Sequence, residues 1–335
     1  MRAVIRTAGE RTEVACAHRW LAGVLAEGAA GQLVSADDAR PDVRVTVEDT
    51  AAAFDTAGWD VLTRDAWRRP GQLIVQNACS SGLDLLVSAA GPTLDIAARW
   101  RPPATIRAAS AVLRARSRLL IRAVLLQYPA IWWSQQRGRA PLHASVCTVG
   151  PAGGRTVLIA GPGGVGKSTL VNAELAHGAR SASDNLCVSD GHTAWGLLEP
   201  RRLPAGNRGS GHGRRMPHGR REAPWPSRVD ELVPDLLIVL RRGSAKVPSA
   251  APCQPDEAAR SLVAGTYMAG ELRRYWAFAA TLALGTGVGE THPAVERVAS
   301  ALSTSLPCLE VVLGERPGTA LGSLLPAGTG AEVSR

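Results

Sequence analysis

Residues 156–184 of the chain read TVLIAGPGGVGKSTLVNAELAHGARSASD, and this stretch decides the fold. It opens with a short apolar run, Thr156–Ala160, which is typical of a buried strand. The segment Gly161–Ser168 follows and matches the pattern G-x-x-x-x-G-K-[ST] in full. A helical segment, Lys167–Ala176, then ends at His177-Gly178. Strand, loop and helix in this order predict a phosphate-binding loop.

The spacing of this loop has a physical meaning. Glycines allow the backbone N–H groups to turn inward around an anion, and the helix N-terminus adds partial positive charge at the same place. Lys167 is expected to reach the β- and γ-phosphates, and the Ser168 hydroxyl is expected to hold Mg²⁺. The residues predicted to bind a nucleotide are Gly161, Gly163, Gly164, Val165, Gly166, Lys167, Ser168 and Thr169.

The use of lysine supports this interpretation over a glycine-rich turn that fits the pattern by chance. The chain contains only two lysines, Lys167 and Lys246, among 38 Lys and Arg residues. One of the two stands where a phosphate-binding loop needs a compact ammonium group.

Composition limits the class of protein. The 335 residues, 45% of them hydrophobic, are enough for one large or two modest domains. The net charge of +9 permits an acidic partner, but the basic residues lack interleaved aromatic residues, so nucleic-acid binding is not expected. The six cysteines form no C-x-x-C pair and no metal-ligand spacing, which favours a reducing cytoplasm. The N-terminus has no signal-peptide core, and no apolar stretch is long enough to span a bilayer, so we expect a soluble cytoplasmic protein without a membrane partner.

The chain divides into four predicted segments of a mixed α/β (α+β) fold. Residues 1–40 are expected to be a loosely ordered tail with one helix, Val14–Leu25. Residues 41–101 are expected to form a small β-rich unit, residues 102–325 the phosphate-loop domain, and residues 326–335 a second tail.

Short apolar or alternating runs predict the strands of the β-rich unit, namely Val43–Val47, Gln72–Val75, Leu83–Val87 and Leu94–Ala98. Asp84 and Asp95 each lie between two apolar residues and are predicted to face solvent. Trp132 and Trp133 are predicted to pack in the core or between domains.

Periodicity also predicts the elements of the larger domain. The predicted helices are 104–127, Asp256–Ala269, Glu271–Leu284 and His292–Leu302. The predicted strands are Ala144–Val149, which forms a hairpin with Thr156–Ala160, and then Ser181–Val188, Thr193–Leu198, Asp235–Leu240 and Cys308–Leu313.

Residues 201–228 are rich in Arg, Gly and Pro and show no periodicity. They predict a mobile loop, either a solvated surface loop or a lid that brings an arginine from 214–221 to a phosphate or an acidic substrate.

The acid that most P-loop ATPases carry at the end of a later buried strand is missing. The strand Asp235–Leu240 is followed by Arg241-Arg242. Asp184 and Asn185, polar residues within the run after the loop helix, are therefore the better candidates for the second catalytic element.

These residues resemble the catalytic domain of HPr kinase/phosphorylase and the shorter HPr-kinase-like proteins, including those of lasso-peptide clusters. The resemblance rests on Pro141–Ser145, Gly161–Ser168, Ala182–Asn185 and Gly196–Glu199, and it covers about residues 130–240. It implies a P-loop kinase fold of the HPr kinase/PEP-carboxykinase-like type.

The resemblance also implies a mechanism. In that family an Asp-Asp pair follows the loop serine some sixteen residues later, and Asp184 follows Ser168 by the same spacing. Asp184 is thereby implied as the general base, Lys167 as the group that stabilises the transferred phosphoryl, and His143 as a residue that assists Asp184. Ser168 and Glu199 are implied as Mg²⁺ ligands. The implied function is an ATP-dependent kinase acting on a Ser or Thr hydroxyl of a peptide or protein, and the family tends to form homo-oligomers.

Two departures from the family keep alternatives open. Asn185 replaces the second Asp, which leaves the reverse, dephosphorylating reaction open, and the Arg/Gly loop 201–222 replaces the family's signature segment, which leaves the acceptor open. The alternatives are a small-molecule hydroxyl kinase in natural-product tailoring and a non-catalytic nucleotide-binding regulatory protein. The donor, ATP or GTP or pyrophosphate, is also left open.

Overall fold

Four β-sheets and the helices packed on them make up the described part of the chain, which is the mixed α/β fold expected from the sequence. The computed structural model describes residues 1–36, 39–150, 154–203, 214–215, 221–314 and 321–325, and for 214–215 only the backbone. The predicted tail 326–335 lies outside the described residues.

The first sheet has eight strands in the spatial order β1-β2-β3-β8-β7-β6-β5-β4. In chain order they are β1 Arg2–Thr7, β2 Glu10–Cys16, β3 Val43–Glu48, β4 Asp60–Thr63, β5 Ala66–Arg69, β6 Gln72–Val75, β7 Leu83–Ser88 and β8 Leu94–Trp100. The pairs β2–β3 and β3–β8 are parallel, and the other neighbours are antiparallel. Parallel neighbours need a crossover connection, and between β2 and β3 this includes helix α1, Arg19–Gly28.

The expectation of a loosely ordered tail over 1–40 is wrong, because β1 and β2 form a hairpin at one side of this sheet. Ile5 and Val14 are each 1% exposed, so the hairpin contributes to the core. The helix predicted over Val14–Leu25 starts too early. Val14 lies in β2, and α1 begins after the N-cap residue His18, whose Nδ1 accepts a hydrogen bond from the Leu21 N–H at 3.5 Å. Strand pairing has overridden the helical pattern at the start of this segment.

The β-rich prediction for 41–101 is confirmed for β3, β6, β7 and β8, whereas β4 and β5 have no counterpart among the predicted strands. Asp95 lies at the surface, with 48% of its side chain exposed, and pairs with Arg44 at 2.7 Å. The same prediction is wrong for Asp84, which is 3% exposed. Its carboxylate accepts hydrogen bonds from the Asn77 N–H and from Arg101, and these partners explain why the charge is tolerated inside the sheet.

Several helical segments follow the first sheet, namely α2 Ala104–Val112, α3 Arg114–Arg122, a π-helical turn Ala123–Gln127 and α4 Tyr128–Ser134. The single helix predicted over 104–127 is broken at Leu113, whose backbone leaves the helical region at φ −101° and ψ 47°. Trp132 and Trp133 in α4 are buried against the first sheet, as predicted.

The second half of the chain carries the other three sheets, with spatial orders β12-β10-β11-β19-β21-β20, β18-β14-β13-β9 and β15-β17-β16. The strands are β9 Ala140–Leu142, β10 Ser145–Thr148, β11 Thr156–Ala160, β12 Ser181–Ser183, β13 Cys187–Ser189, β14 Ala194–Gly196, β15 Arg201–Leu203, β16 Arg214–Arg215, β17 Arg221–Ala223, β18 Glu231–Leu232, β19 Leu236–Arg242, β20 Ser249–Pro252 and β21 Cys308–Leu313. The helices are α5 Lys167–Ala176, α6 Pro255–Tyr267, α7 Tyr275–Thr286 and α8 Val295–Ser305, and 3₁₀ turns lie at Ala78–Ser80, Gln135–Arg137 and Leu321–Ser323.

Most predicted elements of this half are confirmed, including the β10–β11 hairpin, α5 and β21. Helix α7 begins at Tyr275 rather than at Glu271. The single strand predicted over Ser181–Val188 is wrong, because the chain bends at Asp184 and leaves the six-stranded sheet for the four-stranded one. This bend brings Asp184 beside the loop between β11 and α5.

The predicted loop over 201–228 is partly a small sheet. β15, β17 and β16 pair with one another, so the expectation of an unstructured segment is wrong for these residues. Residues 204–213 and 216–220 lie outside the described residues, and so does Arg220 of the predicted lid.

The β1–β2 hairpin also contacts the segment that leads to Glu199. The Leu198 N–H donates to Thr7 Oγ1 at 2.9 Å, and the Ala8 N–H donates to Gly196 O at 3.1 Å. The first sheet therefore begins well before the predicted boundary at residue 41 and touches the region that carries the candidate site.

Candidate functional site

The loop Gly161–Ser168 requires glycine at specific positions. Gly161, Gly164 and Gly166 have φ values of +148°, +81° and +125°, a region that other residues rarely adopt. A side chain at Gly161 would also place its Cβ 2.7 Å from Leu240 O on the neighbouring strand. Glycines of the sequence pattern therefore lie at positions where the backbone conformation of the loop requires glycine.

The backbone N–H groups of this loop are available to a ligand. Among the described residues, none accepts a hydrogen bond from the N–H groups of Gly163, Gly164, Gly166 or Ser168. These groups lie at the N-terminus of α5, where the partial charge of the helix is positive. Together they make a backbone nest of the kind that can hold an anion.

Lys167 lies against the loop and is 5% exposed. Its Nζ donates to Gly161 O at 2.7 Å and to Pro162 O at 3.2 Å. The ammonium group is thus held at the start of the loop. Thr169, the last predicted nucleotide-binding residue, is exposed at the surface of α5.

Asp184 is joined to the loop through its main chain. Its carbonyl oxygen accepts hydrogen bonds from Ser168 Oγ at 3.0 Å and from Ser145 Oγ at 2.7 Å. The residue is 1% exposed, and burial raises the pKa of its carboxyl against the lowering effect of Arg202. The predicted neighbourhood of Ser168 and Asp184 is therefore present, although the contact runs through a carbonyl rather than the carboxylate.

The Asp184 carboxylate is only partly satisfied. Oδ2 accepts from the Arg202 N–H at 3.1 Å, while Oδ1 is buried without a hydrogen-bond partner. Glu199 shows the same pattern. Its Oε2 accepts from Arg202 Nη2 at 3.2 Å, and its Oε1 is buried and unpartnered. Asn185 also lies close enough to lower the pKa of Glu199, although its Nδ2 is itself buried without a partner within hydrogen-bond distance. Unsatisfied buried oxygens are costly, so both carboxylates could accept a further partner.

Arg202 also pairs with a third acid, Glu271, through Nη1 and Oε1 at 2.6 Å. The pKa of Glu199 is raised to about 7, chiefly by burial and also by the Asp184 and Glu271 carboxylates, against the lowering effect of Arg202. Burial would also raise the pKa of Glu271, but Arg202 lowers it to about 2. The difference follows from geometry, since the contact with Glu271 is the shorter one and Glu271 is the more exposed carboxylate.

Arg202 and the three acids Asp184, Glu199 and Glu271 form a charged cluster. His143 lies near this cluster and is 4% exposed. Its Nδ1 is 3.1 Å from Gly265 O. Because a carbonyl only accepts, Nδ1 carries the proton, and Nε2 of the neutral ring is the acceptor. Burial, followed by Lys167, lowers the pKa of His143 to about 4. Among the described residues His143 makes no hydrogen bond to Asp184, so the direct assistance predicted from the sequence is not formed in this structure.

Sequence reasoning missed three residues of the site. Arg202 reads as one more arginine of a variable loop, and Glu271 follows a glycine between two helices. Asn172 lies one helical turn after Ser168. Its side-chain amide donates to Ser168 O at 2.6 Å and to Arg202 O at 2.9 Å. Its own Oδ1 is buried without a partner. The i, i+4 spacing of Ser168 and Asn172 is the one signal that could have drawn attention to this residue.

A cavity of about 430 Å³ adjoins the tip of the loop. It is lined by Pro162–Val165, by Leu240–Arg242 at the end of β19 and by Ser261 on α6. Ligands of open α/β sheets bind in this position, outside the carboxyl ends of the strands. Arg241 is held there by Glu257 and Glu310.

No three His, Cys, Asp or Glu side chains among the described residues are placed to hold a metal ion. The helices within the described ranges include none that is both long and apolar enough to cross a membrane. No protein-family model matches the chain, and no curated protein matches it. The assignment of a function therefore depends on the geometry of the site.

Proposed function

We propose that the protein is an ATP-dependent kinase of the P-loop type that transfers the γ-phosphoryl group to a Ser or Thr hydroxyl of a peptide or protein. The observation that carries the proposal is the contact between Ser168 Oγ and the Asp184 main chain, because it holds a buried carboxyl residue directly beside an anion nest. A nest alone is compatible with any nucleotide-binding protein. A carboxyl group beside it supplies a candidate base for an attacking hydroxyl.

The site residues fit a bound Mg²⁺. The unpartnered oxygens Asp184 Oδ1 and Glu199 Oε1 are of the hard type that Mg²⁺ prefers, and the Ser168 hydroxyl oxygen can still donate a lone pair to the ion. Ser168 and Glu199 would hold the metal, with Asp184 nearby. When bound, Mg²⁺ would neutralise charge that develops on the phosphates.

The other steps of phosphoryl transfer are assigned to residues of the chain. The N–H groups of the nest bind the phosphates, and Lys167 stabilises charge on the phosphoryl group as it moves. The acceptor oxygen forms its bond to the γ-phosphorus while the bond between that phosphorus and the β-γ bridging oxygen breaks. Asp184 takes the hydroxyl proton, and its raised pKa makes it a better proton acceptor than an ordinary aspartate.

One observation favours a second candidate, a nucleotide-binding regulatory protein without turnover. Arg202 contacts Glu199 through its guanidinium and Asp184 through its N–H, so both acids already have one partner. In such a protein the cluster would serve to hold the loop in shape, and Asp184 would transfer no proton.

The two candidates separate in one experiment with [γ-³²P]ATP, Mg²⁺ and a degenerate peptide library that contains Ser and Thr. We expect label on this library and none on a matched library with Ala in place of Ser and Thr. Asp184→Asn should retain ATP binding and lose at least about a hundredfold in transfer, a typical effect of removing a general base. Retained transfer at near wild-type rate would remove Asp184 from this role. ATP binding without label on any library would favour the regulatory protein.

The two lysines of the chain provide a control for the loop itself. Lys167→Ala should weaken ATP binding, whereas Lys246→Ala removes the same charge from an exposed position and should leave it unchanged. Equal ATP binding by the wild type and Lys167→Ala would show that the nucleotide site is misassigned.

A further inference from the structure

Arg202 is the residue around which the charged groups of the site are arranged. Its guanidinium lies between Glu199 and Glu271, with contacts of 3.2 and 2.6 Å. Its backbone N–H donates a hydrogen bond to the Asp184 carboxylate, and its backbone carbonyl accepts one from the Asn172 side chain. One residue thus touches every acid of the cluster and also the helix that follows the loop.

A buried arginine between acids occupies a position that a cation would otherwise fill. Acidic side chains that converge in a buried region repel one another unless positive charge lies between them. A metal ion can supply that charge, and so can a guanidinium, which remains charged at all ordinary pH values. In this chain Arg202 supplies it, and its charge and hydrogen bond are the main causes that lower the pKa of Glu271 to about 2.

Arg202 nevertheless leaves part of the cluster unsatisfied. Asp184 Oδ1, Glu199 Oε1 and Asn172 Oδ1 are all buried acceptor atoms without a hydrogen-bond partner. All three belong to side chains that contact Arg202 through another atom. The site therefore retains oxygen ligands for a cation while its negative charge is partly cancelled.

We propose that Arg202 is a resident counter-ion that makes divalent-metal binding at this site depend on the nucleotide. Without nucleotide, the guanidinium offsets the charge of the carboxylates, and a free divalent ion is bound weakly. With a triphosphate in the nest, the phosphate oxygens would restore the negative charge, and the site would bind a divalent ion more tightly, with Glu199 as a ligand from the chain. The part of the inference that concerns nucleotide rests on the proposed function, whereas the part that concerns the free metal ion does not.

The test measures Mn²⁺, a paramagnetic substitute for Mg²⁺, by the electron-spin signal of the free ion at pH 8 and without nucleotide. The full-length wild type should bind Mn²⁺ weakly. Arg202→Met should bind it at least about tenfold more tightly, since a unit charge in direct contact with the ligands is removed. Arg202→Lys keeps the charge and should remain weak.

Arg44 provides a matched control, since it also pairs with two acids, Glu13 and Asp95, but lies in the first sheet with a 43% exposed side chain. Arg44→Met should not gain Mn²⁺ affinity. If Arg44→Met and Arg202→Met gained similar Mn²⁺ affinity, removal of an arginine from any pair of acids would be enough to bind the ion. That result would overturn the proposal. An unchanged affinity in Arg202→Met would do the same.

Loss of Arg202 leaves buried acids without a partner, so Arg202→Met is expected to be less stable. Thermal unfolding keeps the proposal testable in that case. Mn²⁺ should raise the Tm of Arg202→Met and leave that of the wild type nearly unchanged, because only an ion that binds the folded state stabilises it. A variant that unfolds early and is not rescued by Mn²⁺ would contradict the proposal.

ATP binding, measured in parallel, separates this inference from the proposed function. With ATP present, the wild type should bind Mn²⁺ tightly. If the wild type binds no ATP, the kinase proposal fails, while the comparison of Arg202→Met with Arg202→Lys still decides the role of the arginine. If ATP binds but Mn²⁺ affinity in its absence is the same in all variants, the kinase proposal stands and the role of Arg202 is refuted.

Discussion

One buried residue, His143, should lower the free energy of unfolding in acid. The ring is 4% exposed, donates Nδ1–H to Gly265 O and lies near Lys167. Burial and the nearby ammonium group disfavour a second proton, so the pKa falls from 6.5 to about 4. In the unfolded chain the same ring has its ordinary value near 6.5.

The sign and size of the effect follow from proton linkage. Between pH 6.5 and 4 the unfolded state binds the proton and the native state does not, so the free energy of unfolding falls as the pH falls through this window. Well above pH 6.5 the ring is neutral in both states, so His143 then takes nothing from the free energy of unfolding. By pH 5 the two pKa values imply a loss of about 2 kcal/mol, rising to about 3 kcal/mol at pH 4.

The assay is urea unfolding at pH 7.5 and pH 5.0 of the wild type, His143→Asn and His177→Asn. Asn is chosen because its amide can replace the hydrogen bond from Nδ1. Groups that are not coupled to His143 titrate alike in all three proteins, so the difference between the two pH values reports on the histidine and on Glu271, which is coupled to it. We expect the wild type and His177→Asn, in which the replaced histidine is exposed, to lose about 2 kcal/mol more than His143→Asn. Equal losses in all three proteins would refute the reasoning.

Two further predictions concern packing around the site. A Cβ at Gly196 would lie 1.8 Å from Ala182 O, so Gly196→Ala should cost at least about 3 kcal/mol in thermal or urea unfolding, and a cost below about 1 kcal/mol would mean that the two strands can separate freely. Arg122 and Glu222 form a buried pair at 2.8 and 3.0 Å, so Arg122→Met should cost about 3–5 kcal/mol in urea unfolding. Adding Glu222→Leu should recover part of that loss, and strictly additive losses would contradict a paired interaction.

The loop was predictable from the sequence because its information is local. The glycine positions, Lys167 and the bounds of α5 follow from a short pattern with fixed geometry. The hairpin that leads into the loop is also local, since its strands are joined by a short connection. The spacing between Ser168 and Asp184 predicted that the two residues lie close together, and they are joined through Ser168 Oγ and the Asp184 carbonyl oxygen.

The rest of the site depends on pairs that are distant in the chain. Arg202 meets Glu271 across 69 positions, and nothing in either neighbourhood predicts that contact. Asp184 lies within Ser181–Val188, where a single strand was predicted, and the chain instead changes from one sheet to another at this point. The N-terminal hairpin was missed for a related reason, because pairing with β3 decides the structure of β2.

The hairpin of β1 and β2 has a consequence for protein engineering. Thr7 and Ala8 bond to the residues just before Glu199, so the beginning of the polypeptide helps to fix one of the candidate metal ligands. A truncated version that starts at the phosphate-loop half would lose that support, and a chimaera with a foreign N-terminal half would have to rebuild it. Any shortened form of this protein should therefore retain its first strand.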